Sequence, residues 1–319
     1  MEMPDNLREA VLWFAEFENC REFMIALRWP DGAVVCPRCG LDKNIWIAKE
    51  RVWKCYGKHD HAKFSLKTGT IFEDSPISLE KWLPAAWLII NCKNGISSYE
   101  LSRDLGITQK SAWFMLHRIR LAMKSGTFEK LSGEVEADET FVGGKVKNMH
   151  RDRKVRLQKT SQKGDKTVVL GLLERNGHVR AAVAPTRKFY EVQKHVTENL
   201  EPGSTLFTDE YAAYQSVAPG TFTHEIVNKM ETYVRGRVHV NGMENFWSLL
   251  KRTLHGTYVS VDPAHLQAYV DEQAYRFNNR EFTDAERFAD VMKQIVGKCL
   301  TYDELIGKSD KEQSSTPTA

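Results

Sequence analysis

No stretch of this 319-residue chain approaches the run of about eighteen apolar residues that a membrane-spanning helix needs. The longest, LPAAWLIINC, is far shorter and reads as a buried helix. The opening MEMPDNLREA is acidic and lacks a secretory pattern. Net charge is small too: +3 is too mild to imply a polyanionic partner by itself. No internal repeat stands out, which sets aside repeat architectures. Cysteine is sparse and uneven, with four of the six (Cys20, Cys36, Cys39, Cys55) falling early. That pattern argues against a disulfide framework and for a reducing cytoplasm, where clustered cysteines more often bind metal. What is plentiful is ordinary: 42% apolar residues, enough to fill the cores of two or three domains over this length.

Residues 5–28 read as an amphipathic helix stopped by the Pro/Gly signal RWPDG. Residues 31–72 are turn-rich and strand-like, and the spacing from Leu79 to about Met123 is helical. Beyond Gly133 the pattern is mixed. GEVEADETFVGG alternates like a strand, and KTVVLGLLERNGHVRAAVAP reads as a hairpin turning at Asn176-Gly177. A helix follows near 188–199, then the strand STLFTDE, then helices over 241–254 and 263–278. The polar end GKSDKEQSSTPTA is expected to be disordered.

CPRCG places Cys36 and Cys39 on a tight turn relieved by Gly40, so that both thiolates face one ion. This is half of a tetrahedral zinc site, and the other half belongs about 15–20 residues on. Cys55 arrives there, in WKCYGKHDHAKF, with no fourth cysteine nearby but with His59 and His61 following. Three cysteines and a histidine form an acceptable structural Zn²⁺ set. The tighter spacing Cys55-x3-His59 favours His59, with His61 left open. A redox CxxC would need a βαβ setting, and a zinc deaminase would need H-x-E with P-C-x-x-C; both are missing.

NGISSYELSRDLGITQKSAWFMLHRIRLAM has two helix starts, at Ser97 with Glu100 and at Thr108, with Gly106 at the turn between them. Leu101, Leu105, Ile107, Ala112, Leu116 and Ile119 supply a core. The second helix is expected to expose Gln109, Lys110, Ser111, His117, Arg118 and Arg120. This is a helix-turn-helix shape, with Gln109, Lys110 and Ser111 where base edges would be met and Arg118 as a further DNA contact. An ordinary three-helix bundle would look similar. The loop from Lys145 to Lys166 carries nine Lys/Arg against two Asp, +7 in 22 residues, so the rest of the chain is slightly acidic. Such a loop, with Arg151, Arg153, Lys154 and Arg156, is either a solvated segment or a phosphate contact.

In HVNGMENFWSLLKR, Met243, Phe246, Trp247 and Leu250 recur at helical spacing, while Glu244, Ser248 and Lys251 share one narrow sector beside that face. On the strand EVEADETF, Glu134, Glu136 and Asp138 share a face, and Asp209 ends the strand STLFTDE. A single acid at a strand end is usually a cap or a surface charge. Two on β elements and one on a later helix suggest a shared site for Mg²⁺, with Mn²⁺ as a substitute. Two such ions about 4 Å apart serve phosphoryl transfer. The order of strand, hairpin, helix, strand and acidic helix matches a ribonuclease-H-like fold.

The motifs CPRCG, FSLKTGTIFEDSPISLEKW, GEVEADETFVGGK, FTDEYAAY, NGMENFWSLLKR and YVDEQAYRFNNR occur in that order over about residues 15–290. In this combination the sequence resembles the DDE transposases of the IS1595 family of insertion sequences. The resemblance implies that Asp138, Asp209 and Glu244, spaced D-x70-D-x34-E, form a metal-binding triad, with Lys251 touching DNA phosphate beside them. It implies binding to terminal inverted repeats and target DNA, strand cleavage and strand transfer, a nucleoid-associated cytoplasmic protein, and a homo-oligomer on DNA. The zinc region departs from the commoner four-cysteine form, since a histidine replaces the last cysteine. The expected fold is multidomain α+β: an N-terminal helical segment (1–30), a zinc ribbon (31–75), a helix-turn-helix region (76–130), a ribonuclease-H-like α/β catalytic domain (131–300) and a polar tail (301–319). The alternative is a DNA-binding regulator derived from an inactive transposase, and a structure-selective nuclease would not need the terminal modules.

Overall fold

The computed structural model describes residues 3–124, 129–143, 166–214, 217, 220–226 and 239–308. The chain divides into two units, Met1–Lys124 with Glu281–Ala319, and Ser125–Arg280. Most of the basic loop, including Arg151, Arg153, Lys154 and Arg156, lies outside the described residues, as does most of the polar end.

In the first unit the expected N-terminal helix is two, α1 (Leu7–Phe14) and α2 (Phe17–Arg28). Asn19 Nδ2 donates to the Trp13 carbonyl at 2.8 Å and Cys20 Sγ to that of Phe14 at 3.2 Å, occupying acceptors that a continuous helix would have used. The break lets Phe14 and Phe23 meet each other and Phe288, at ring-centroid distances of 5.8, 5.5 and 5.6 Å. Next come β1 (Asn44–Ile47), β2 (Val52–Cys55) and β3 (Lys63–Phe64), an antiparallel sheet in that order.

After β3 the chain runs through an irregular segment to α3 (Leu79–Asn91). Its carbonyls are met by cations. Arg28 donates to Leu66 O and Thr68 O, each at 2.6 Å. Lys67 donates to Ser75 O and Ile77 O. Arg118 reaches Ile71 O at 3.0 Å, Glu73 O at 2.6 Å and Leu300 O at 2.9 Å. Burial lowers the pKa of all three, that of Arg28 to about 10.

α3 is buried on nearly every side, as its apolar run implied. α4 (Ser98–Leu105) and α5 (Gln109–Met123) follow; the side chains of Ser97 and Thr108 cap them, and Gly106 takes the left-handed turn between at φ 58°. Residues 281–308, expected as catalytic domain and tail, pack instead within this unit. Their helices are α9 (Asp284–Lys293) and α10 (Tyr302–Leu305), counting three helices of the second unit between. Ile71 N–H donates to Ile295 O at 3.1 Å, and Arg287 Nε to Asn91 Oδ1 at 3.0 Å.

The packing of this unit overturns one expectation. His117, Arg118 and Arg120, expected to face outward, are 3%, 5% and 1% exposed. Arg118, expected as a DNA contact, is instead a buried strut between backbone carbonyls. Lys110 is exposed, and Gln109 and Ser111 are half-buried. Arg118→Ala would strand buried carbonyls at about 1–3 kcal/mol each. It is expected to lower the melting temperature measurably in a thermal scan, whereas Lys110→Ala leaves it within about a degree, as an exposed substitution should.

The second unit is built on a five-stranded sheet of order β6-β5-β4-β7-β8. Its elements are β4 (Glu134–Val142), β5 (Thr167–Glu174), β6 (Val179–Ala184), α6 (Phe189–Asn199), β7 (Thr205–Thr208), β8 (Thr223–Ile226), α7 (Asn241–Arg252) and α8 (Leu266–Asn278). β5 runs antiparallel to both β4 and β6, while β7 and β8 run parallel to β4. The β5–β6 hairpin turns where expected, with Asn176 left-handed at φ 61°. One face of the sheet buries Val135, Ala137, Leu170 and Leu172 against Val192 and Val196 of α6. The other buries Val169 and Leu173 against Met243, Phe246, Trp247 and Leu250 of α7 and Val270 of α8. Each large apolar side chain so buried is worth roughly 1.5–3 kcal/mol. The apolar stripe of α7 is therefore its docking face. β8, with an exposed THEI sequence, had no legible strand signal.

Candidate functional site

Two constellations bear on function, one in each unit. In the first, the ligand atoms of Cys36, Cys39, Cys55 and His59 lie within 4.8 Å of one another. Cys36 Sγ is 3.6 Å from His59 Nε2, and Cys39 Sγ is 3.6 Å from Cys55 Sγ. A zinc tetrahedron with bonds near 2.3 Å to sulfur has edges of about 3.8 Å, so the four residues fit the ion. His59 Nδ1 is 2.6 Å from Asp60 O, which directs Nε2 toward the thiols. His61 is exposed and left-handed at φ 59°, so His59 is the fourth member of the group. Burial pushes the Cys36 thiol up, but hydrogen bonds from the Arg38 and Cys39 backbone and from the Cys39 and Cys55 thiols outweigh it and bring the pKa to about 7. A β-carbon at Gly57 would sit 3.0 Å from Cys39 Sγ and 3.3 Å from Cys55 Sγ, so this glycine keeps the cradle open.

In the second unit, parallel pairing sets Val135 opposite Leu206 and Glu136 opposite Phe207. Two residues beyond that last pair stand Asp138, still within β4, and Asp209, just past the end of β7. Asp138 is 8% exposed, and its Oδ2 accepts from Trp247 Nε1 at 3.0 Å. Asp209 Oδ1 accepts the Tyr211 N–H at 3.0 Å. The two charges are felt by Glu139, next to Asp138. Burial first, then Asp209 and Asp138, raise its carboxyl to about 7, while Arg187, at 3.7 Å, opposes them. Tyr214, hydrogen-bonded to Glu139, is driven well above the usual phenol range by its burial and the same acids.

Glu244 lies in the first turn of α7 and is exposed, as are Ser248 and Lys251. Gly171, paired with Asp138 across β4 and β5, is what lets α7 lie so close. A β-carbon there would stand 2.7 Å from the Trp247 ring and would also strike Met243. Among the described residues, the zinc quartet is the only group of three or more such side chains gathered within 4.8 Å. The structure thus sets Asp138 and Asp209 each two residues beyond the last β4–β7 pair and Glu244 on the helix packed beside Asp138, without drawing all three together.

The family model described as an ISXO2-like transposase domain, the IS1595-type DDE domain, matches residues 130–278, and the transposase zinc-ribbon model matches residues 18–57. The chain belongs to the IS1595 family of transposases. Among its relatives is an uncharacterized protein in transposable element ISH50 of Halobacterium salinarum, 29% identical over 253 residues, which are 76% of this chain and 84% of that protein. Another is an uncharacterized transposase-like protein of Haemophilus influenzae, 26% identical over 118 residues, 37% of this chain and 93% of that protein. No helix among the described residues of this family member is long and apolar enough to cross a membrane.

Several residues around the acids escaped the sequence reading. Trp247 was placed only on the apolar stripe, yet its N–H holds Asp138. Glu136 shared a face with Asp138 in the strand pattern but gave no sign of its partners. Glu139, Arg187, Tyr211 and Tyr214 form a second set, with the Arg187 guanidinium 4.7 Å above the Tyr211 ring. The tyrosines were visible in TDEYAAY, and only the fold gives them partners.

Proposed function

We propose that this transposase cleaves and joins DNA strands through Asp138, Asp209 and Glu244. The observation that carries the reading is that Asp138 and Asp209 each stand two residues beyond Glu136 and Phe207, the last pair of the parallel β4–β7 ladder. An antiparallel trio followed by two parallel strands, with the acid-bearing helix against the first strand, supports a ribonuclease-H-like fold. The donors are carboxylates, which suit Mg²⁺ or Mn²⁺. When bound, such ions supply an activated water and neutralise phosphate charge. The chain's own contribution is to hold the three carboxylates in place, with Lys251 on the outer turn of α7 to steady a phosphate. Water cleaves the 3′ ends of the element and the freed 3′-hydroxyls attack target DNA, so no protein nucleophile is required. The test is Mg²⁺-dependent nicking and joining of a labelled repeat-end duplex. A parent protein that binds the duplex tightly but never cuts it in Mg²⁺ or Mn²⁺ would favour the regulator.

Sequence readout is assigned to the α4–α5 pair as a helix-turn-helix, through Gln109, Lys110 and Ser111. Backbone contact is assigned to the basic loop through Arg151, Arg153, Lys154 and Arg156. The two roles separate by salt. Neutralising the four loop cations is expected to weaken binding to repeat and random DNA alike and to flatten the slope of log K against log salt by about 3–4. Gln109→Ala or Lys110→Ala is expected to cost about 1–3 kcal/mol of discrimination between repeat and random duplexes. Fluorescence anisotropy titrations across a salt series check both, and an unchanged slope removes the loop from the interface.

A further inference from the structure

Helix α7 begins without a cap of its own, because Val240 at the N-cap offers no side-chain acceptor. The sheet supplies one. Glu136 Oε2 accepts the Met243 N–H, at the third helical position, at 3.0 Å. A carboxylate there satisfies an orphan donor and meets the positive end of the helix. Glu136 is 1% exposed, and its Oε1 takes Arg175 Nε at 3.3 Å and stands 3.2 Å from His239 Nδ1. One turn further along α7, Trp247 donates to Asp138 in a buried bond. Glu136 and Asp138 lie on one face of β4, so strand and helix are joined at two points, and Glu244 stands between those points in the helix. The approach has little slack. A β-carbon at Gly242 would come within 2.9 Å of Glu136 Oε2 and 2.5 Å of Leu173.

We propose that Glu136 and Trp247 are positioning residues for strand cleavage, which together fix the Glu244 helix against Asp138. The proposal rests on the reading of Asp138 and Glu244 as metal ligands. Trp247 orients the Asp138 carboxylate through one oxygen, as outer hydrogen-bond partners orient metal ligands generally. Glu136 sets the axial position of α7 by holding its first turn. The hydrogen bond is a property of the indole N–H and not of the ring, so Trp247→Phe isolates it.

In the full-length protein, Trp247→Phe is expected to slow cleavage of the repeat-end duplex about 10–100-fold and to raise the Mn²⁺ concentration for half-saturation, read by electron paramagnetic resonance, by a similar factor. The gel-shift Kd for the same duplex stays unchanged. Glu136→Gln, which keeps an acceptor for the Met243 N–H, retains more activity than Glu136→Ala. Parental cleavage and parental Mn²⁺ affinity in Trp247→Phe overturn the proposal. Should that variant fold poorly, the parent answers alone. The Trp247 indole N–H resonance is expected to shift on addition of Ca²⁺ in the parent but not in Asp138→Asn. A resonance unmoved by saturating Ca²⁺ overturns the proposal. Asp138→Asn separates the two levels: if it cuts like the parent, the metal reading has failed. If it is dead while Trp247→Phe is fully active, only the positioning role has.

Discussion

Asp138→Asn, Asp209→Asn and Glu244→Gln are each expected to bring strand cleavage and strand transfer below about a thousandth of the parental rate while repeat-DNA binding survives. Each amide keeps the shape of its parent side chain but removes the charge that a divalent ion needs. Combining two substitutions is expected to add little, because each disables the same unit. Lys251→Ala is expected to reduce activity without erasing it, since an exposed ammonium steadies phosphate and holds no ion. The neighbouring acids serve as graded controls. Glu210 is exposed, so Glu210→Gln is expected to be silent. Glu139 lies beside Asp138 but is paired with Arg187 and outside the proposed triad, so Glu139→Gln is expected to keep substantial activity. Glu136 sits in a buried network and is no neutral control. The measurement is Mg²⁺-dependent nicking beside a gel shift on one duplex. Glu244→Gln cutting at the parental rate would remove α7 from the ligand set.

The second large effect is on zinc. The purified protein is expected to carry about one Zn²⁺ per chain, and Cys39→Ser or a strong chelator to remove it and unfold the ribbon. Structural zinc contributes on the order of 10–16 kcal/mol in isolated fingers, against a net stability of about 5–15 kcal/mol for a typical domain. The short strands around the quartet offer little to replace it, β3 being two residues long. His59→Ala is expected to release the ion and His61→Ala to retain it, read by metal analysis and far-ultraviolet circular dichroism. Full stability of metal-free protein would dismiss the site, and the opposite histidine result would move the fourth ligand to His61.

What could be read in the sequence was whatever is local. The quartet was legible because thiolate spacing follows from tetrahedral geometry on a short loop. Helix α7 was legible from its stripe of Met243, Phe246, Trp247 and Leu250, and the Asp138 strand from alternation. What stayed hidden depended on partners distant in the chain. Nothing in RIRLAM tells that Arg118 bridges the carbonyls of Ile71, Glu73 and Leu300, so His117, Arg118 and Arg120 looked like a basic outer face. The break between α1 and α2 was hidden for a similar reason: the ring contact it permits is with Phe288, far along the chain. Gly171 and Glu136 carry no pattern of their own. One gains its meaning from the Trp247 ring and the other from an uncapped helix end.

The segment between β3 and α3 has a consequence for modularity. Its backbone is held by Arg28 from before the ribbon, Lys67 from within it and Arg118 from well after it. A fragment cut after residue 75 would keep all four zinc ligands and still lose the Arg118 strut, leaving the Ile71 and Glu73 carbonyls without that donor. The ribbon is therefore poorly suited to transplantation as a free-standing finger. The smallest piece that keeps its own scaffolding is residues 3–124 together with 281–308, a cassette whose two halves flank the second unit in the chain. Exchanging this unit between relatives would then require moving both flanks at once, with the interior left in place.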